Sequence, residues 1–212
     1  MAQRPSDLSA WPPSSGLTTP IVPRKDTVLT CSASVQVHAP ASLVFDTILN
    51  VNDYSWNQWV PRVSINSQPE GVDKDSETLH MDTEFTFHVM MKPSSETPTQ
   101  LKVTDISTPE NPSSYIPTST LENDGTYSEN LQEVYRIAWK VHGGFASRGL
   151  KGERFHEIIA LGENECEVRT WENQGGVLAH AVKWMYKHTL MEKFQLWCDD
   201  LKRASEEKAA RG

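Results

Sequence analysis

The sequence predicts an α+β domain, an antiparallel sheet of about six to seven strands followed by one long C-terminal helix. Three observations carry this. Segments between residues 28 and 173 alternate apolar and polar side chains with the period of two that a half-buried strand requires. Residues 177–205 place apolar side chains at steps of four and three, which is one face of a helix. The joints between the last strands are short and bear glycine, as antiparallel hairpins do.

Taken in order, residues 1–26 read as a flexible tail, with Pro5, Pro12, Pro13, Pro20 and Pro23 and no periodicity that would bury a face, although Trp11 and Leu17 can tack it down. The folded domain is expected over 27–206. Its first strand sets Leu29, Cys31, Ala33, Val35 and Val37 on one face. Pro40 suits a first helical turn, and Leu43, Val44, Ile48 and Leu49 give a short helix over 41–50. A second short helix is expected over 53–59, with Asp53 as cap and Pro61 as stop. Strands follow at 62–68, 82–92 and 100–107, the last with Leu101, Val103 and Asp105 on one parity. The Pro-, Ser- and Asn-rich stretch 108–130 reads as a long loop. Strands at 131–141, 150–161 and 165–173 lead through Gly175-Gly176 to the final helix, and 207–212 reads as a frayed charged end.

The 212 residues carry a formal charge of −8, a pI near 5.4 and 37% hydrophobic side chains, which fits one globular domain. No basic cluster stands out in the sequence, so nucleic acid is not an expected partner. The longest apolar run is Ile158–Leu161, so no membrane insertion is expected. Residues 1–7 lack the features of a secretory signal, which makes the cytoplasm the expected compartment. Cys31, Cys166 and Cys198 are widely spaced among apolar residues and read as reduced thiols.

Catalytic signatures are scarce. The run from Gly144 to Gly149 is one residue too long for a nucleophile elbow and joins two strands. His156-Glu157-Ile158-Ile159-Ala160 begins like a zinc motif but has Ala where the second ligand belongs, so no metal is expected. No nucleotide-binding or calcium-binding fingerprint is present, and no cofactor is expected.

The order of elements, with Val35-Gln36-Val37-His38-Ala39-Pro40-Ala41 before Val44-Phe45, the aromatic turn Tyr54–Pro61, and Thr170–Gly176 leading into the last helix, resembles the START-like or SRPBCC superfamily over residues 28–205. That resemblance implies a helix-grip fold, a curved antiparallel sheet wrapped on the long C-terminal helix with two short helices after the first strand and an apolar cavity between sheet and helix, and hence a hydrophobic small-molecule ligand. Oligomeric state stays open.

The strand pattern adds polar groups to this wall. Pairing across residues 162–164 sets Arg154 opposite Glu172, His156 opposite Thr170 and Ile158 opposite Val168, and a second pairing sets Tyr135 beside His156, Ile137 beside Arg154 and Trp139 near Gly152. With Phe85, Phe87, Val89 and Met91 from an earlier strand and Leu178, Val182, Met185 and Tyr186 from the helix, these are the expected ligand-binding residues. His156 and Glu172 are candidate proton-transfer groups, and Arg154 and Tyr135 candidates to hold an enolate or carbonyl oxygen. A cross-strand ion pair between Arg154 and Glu172 with His156 as a sheet residue accounts for the same pattern. His88, His180 and His188 read as outer-face or helix-surface residues. A cofactor-independent cyclase, dehydratase or isomerase of polyketide or terpenoid type, a non-catalytic carrier and a regulatory domain all fit.

Overall fold

The computed structural model describes residues 11–92, 95–144 and 146–211. One seven-stranded antiparallel sheet has the order β1-β7-β6-β5-β4-β3-β2. Its strands are β1 (Leu29–Val37), β2 (Val63–Ser67), β3 (Glu84–Lys92), β4 (Ser95–Ser107), β5 (Val134–Val141), β6 (Lys151–Gly162) and β7 (Glu165–Gly175). The helices are α1 (Ala41–Leu49), α2 (Thr118–Asn123) and α3 (Val177–Ala209). This is the helix-grip fold, with α3 lying against the inner face of the sheet. No described helix is long and apolar enough to cross a membrane.

Alternation in the strands divides the core in two. Inward residues such as Val37, Phe85, Phe87, Trp139 and Val168 pack with Phe194, Trp197 and Leu201 of α3. Outward residues Ala138, Phe155 and Trp171 form a second cluster with Leu17, Ile116, Leu121 and Tyr127, in which Phe155 stacks on Trp171 at 5.1 Å. The segment expected as a loose tail is therefore part of the structure from Trp11 onward. Leu17 and Val22 are 3% and 1% exposed. Asn173 donates to the Leu17 and Val22 carbonyls, Trp171 donates to the Thr18 carbonyl, and Arg24 pairs with Asp124 at 3.0 Å. Residues 1–10 of that expectation lie outside the described residues. The long loop contains α2 and covers the same outer face, away from the cavity.

Four further expectations are corrected. The second short helix is a single turn at Val51–Asp53, because Asn50 accepts from the Asn52 amide and the following aromatics are held instead by Tyr54 donating to the Ile48 carbonyl and Val60 donating to the Asn57 side chain. A bulge between Val103 and Asp105 exchanges the faces of β4, so Asp105 pairs with outward Ala138 and Ile106 with inward Ile137. The β5–β6 register is two residues from the expected one: Tyr135 opposes Ile158, Ile137 opposes His156 and Trp139 opposes Arg154. An even shift keeps every side chain on its face. Finally, α3 continues to Ala209, carrying the first half of the expected frayed end, residues 207–209, in helix.

Outside the inner core lies a buried charged layer. Arg136 donates to Glu157 Oε1 at 3.0 and 2.7 Å, and Glu153 accepts from Thr104, Tyr115 and the Ile21 amide. Asp105 sits 4.0 Å from Arg136, and burial, outweighing Arg136, pushes its carboxyl above the ordinary value.

Candidate functional site

The β6–β7 ladder places Arg154 directly opposite Glu172 and His156 opposite Thr170, all facing α3. Between this part of the sheet, β3–β4 and the first half of α3 lies a cavity of about 340 Å³. It is within the size range of small-molecule sites. Its wall is mainly apolar, with Phe87, Val89, Met91, Trp139, Val182 and Tyr186 among the expected residues that line it. Arg154 and Glu172 line it as well. At the rim are the exposed Ser95 and Thr97.

Two glycines shape this end of the molecule. Gly152 has no room for a side chain, since a Cβ there would lie 2.9 Å from Val141 Cγ2. Gly176 has φ +87°, and a Cβ would meet the Gly149 carbonyl oxygen at 2.6 Å, so only glycine permits β6 and the start of α3 to approach this closely.

Arg154 is 3% exposed. Its Nε donates to Thr170 Oγ1 at 3.1 Å, and its Nη2 has no partner. The guanidinium carbon lies 4.1 Å from the ring centre of Phe194, 4.5 Å from Trp197 and 5.2 Å from Trp59, a cation–π cage built mostly by α3. Burial lowers its pKa to about 10, so it remains a cation at neutral pH. Glu172 opens onto the cavity and accepts from Gln174 Nε2 at 2.6 Å. Burial raises its pKa, opposed by that hydrogen bond and by Arg154.

Of the four candidate reactive groups the structure brings Arg154 and Glu172 together at the cavity. His156 is set behind Trp139, with its ring 4.6 Å from that indole and 5.4 Å from Trp197, and neither ring nitrogen has a partner. Burial, and secondly Arg154, holds its pKa well below the ordinary value, leaving it neutral. Tyr135 packs on Phe45 of α1 at 5.4 Å, toward the other end of β5. Ile137, Ile158, Val168, Thr170 and Phe85 face inward but fill the core. Leu178 is seated against Gly149, and Met185 is 52% exposed. His88 lies outside the cavity and hydrogen-bonds Ser64 and Arg62, and His180 and His188 are exposed.

Trp59, expected as a core or cavity-lining aromatic, lines the cavity, and so do Leu101, Gln174 and Leu190, which the sequence reasoning missed as ligand-site residues. Gln174 shares its parity with Glu172 one step along β7, and Leu190 belongs to the apolar stripe of α3, so both carried a usable signal. No group of His, Cys, Asp and Glu able to hold a metal occurs among the described residues, and the three cysteines are free and buried.

No family model matches the chain. A curated relative from Penicillium oxalicum, oxopyrrolidines biosynthesis cluster protein O, is 28% identical over 196 residues, covering 87% of this chain and 90% of the relative. Among solved structures, the Zhui aromatase/cyclase of a Streptomyces species superposes with a TM-score of 0.59 at 12% identity, over 87% of this chain and 98% of the other. A START superfamily protein of Mycobacterium smegmatis superposes with a TM-score of 0.56 at 15% identity, over 84% and 98%. At such identities the structural likeness is one of fold, the helix-grip fold.

Proposed function

We propose that this chain binds a hydrophobic small molecule in the cavity between sheet and α3 and acts on it by proton transfer, as a cyclase, dehydratase or isomerase of polyketide- or terpenoid-type substrates. The observation that carries the reading is a carboxyl group, Glu172, opening onto an apolar cavity beside a fixed buried cation. A desolvated carboxylate is a stronger base than one in water. As base, Glu172 removes a proton from an acidic C–H, and the Arg154 charge favours the negative charge that develops on a neighbouring carbonyl oxygen. The pairing with Gln174 orients the carboxyl. The curated relative's place in a biosynthesis cluster and the fold shared with an aromatase/cyclase support a secondary-metabolic substrate.

A non-catalytic carrier is the second reading, favoured by the absence of a histidine from the described cavity wall. Native mass spectrometry of the purified protein identifies what it retains. Incubation of that compound with the wild type and with Glu172→Gln then separates the readings. Conversion by the wild type and retention without conversion by the variant support proton transfer, whereas equal recovery of unchanged compound from both supports the carrier.

A further inference from the structure

Two buried arginines on neighbouring strands are treated differently by this fold. Arg136, on the outer face, has carboxylates for counter-charge: it donates twice to Glu157 and lies 4.0 Å from Asp105, although its Nη1 is unpartnered. Arg154, on the inner face, has no carboxylate oxygen within 4.0 Å among the described residues, and its Nη2 is unpartnered. Glu172, its opposite number in the ladder, is bonded to Gln174 instead. Aromatic rings supply the rest of the Arg154 environment. Ring faces offset part of the lost hydration but provide no counter-charge, and a buried cation without one is strongly disfavoured. Trp59 Nε1 on the same wall is also a donor without a partner, against one unpartnered acceptor there, Gln174 Oε1.

We propose that the ligand of this cavity binds as an oxyanion, a carboxylate or the enolate of a β-dicarbonyl joined to an apolar body, and that Arg154 is its counter-ion. The proposal rests on the reading of this cavity as the ligand site. It names a ligand whose charge is present before any reaction, so Arg154 selects it as well as favouring charge that develops later. The anion fixes the polar end of the ligand at the β6–β7 ladder, beside Glu172, and leaves the apolar body toward Val89, Met91 and Val182. A cationic head group is repelled and a neutral one gains only a hydrogen bond.

The test uses three probes with one apolar body, naphthoate, acetylnaphthalene and naphthylmethylamine, titrated calorimetrically against the full chain at neutral pH. Naphthoate is expected to bind at least tenfold more tightly than the ketone, and the amine most weakly. In Arg154→Met the naphthoate preference disappears while ketone binding weakens only by the loss of one hydrogen bond, and in Arg154→Lys, which retains the charge, part of the preference survives. Thermal melts of both variants confirm that they are folded. Ketone binding equal to or tighter than naphthoate binding in the wild type, or undiminished naphthoate binding in Arg154→Met, overturns the oxyanion assignment and leaves the apolar cavity reading intact. Failure of all three probes to bind overturns both.

Discussion

Gln174 donates a 2.6 Å hydrogen bond to Glu172 two positions earlier on the same strand, so the carboxyl at the cavity is fixed from its own strand and not by the arginine opposite. Replacing Glu172 with Gln removes the proton-transfer group while preserving volume. On the proposed reading turnover falls by about 10²–10⁴ with ligand affinity changed by less than about threefold. Steady-state kinetics and calorimetry check this together.

The same carboxyl has a pH signature in stability. Burial raises its pKa in the folded state, so the folded chain holds this proton more tightly than the unfolded chain. Its stabilising contribution is complete below the unfolded value and is lost as pH rises through the raised one. Glu172→Gln should therefore melt above the wild type at pH about 8, with the difference shrinking toward pH about 4. A constant or reversed difference across that range contradicts a desolvated carboxyl.

Arg136→Met strands Glu157 in the outer layer, where Ser128 alone is left to bond it among its side-chain partners. Breaking a buried pair from one side costs about 3–5 kcal/mol. Urea unfolding should show that loss, while ligand affinity stays within about twofold because Arg136 faces away from the cavity.

Leu17→Ala tests the N-terminal segment. A loose tail tolerates it, but Leu17 is 3% exposed against the outer cluster, so a loss of about 2–4 kcal/mol is expected in the same unfolding assay.

Gly176→Ala forces a side chain into a left-handed backbone and onto the Gly149 carbonyl. Strain of this kind costs about 1–3 kcal/mol. A drop in melting temperature is expected, together with weaker ligand binding, because α3 starts here and forms one wall of the cavity.

Much of this was legible because a strand has a period of two and a helix 3.6. The faces of Arg154, Glu172, Trp139 and Phe87 follow from parity alone, and parity survived the two-residue error in the β5–β6 register. Depth along a strand was not legible. His156 and Tyr135 share the inner face with Arg154, yet the cavity occupies only the end of the sheet near β3–β4 and the start of α3, and the packing of Trp139, Trp197 and Phe45 closes off the rest. The bulge at Thr104 was silent as well, since Thr suits either face of a strand, and it moved Asp105 to the outer layer. The ordering of residues 11–26 depends on Trp171 and Phe155 offering them an apolar surface more than 120 positions away, which no local pattern reports.

The long helix is held unevenly. From Phe194 to Ser205 it buries Trp197, Cys198, Asp200, Leu201 and Ala204, whereas between His180 and Thr189 no side chain is fully buried and Trp184 is 86% exposed. The stretch that walls the cavity is thus the one with the least holding it down, and such stretches open at the lowest free energy. On the proposed reading, uptake and escape of a guest depend on how often that half of the rod lifts, so substitutions on its solvent side are expected to change both rates without altering any residue that touches the guest.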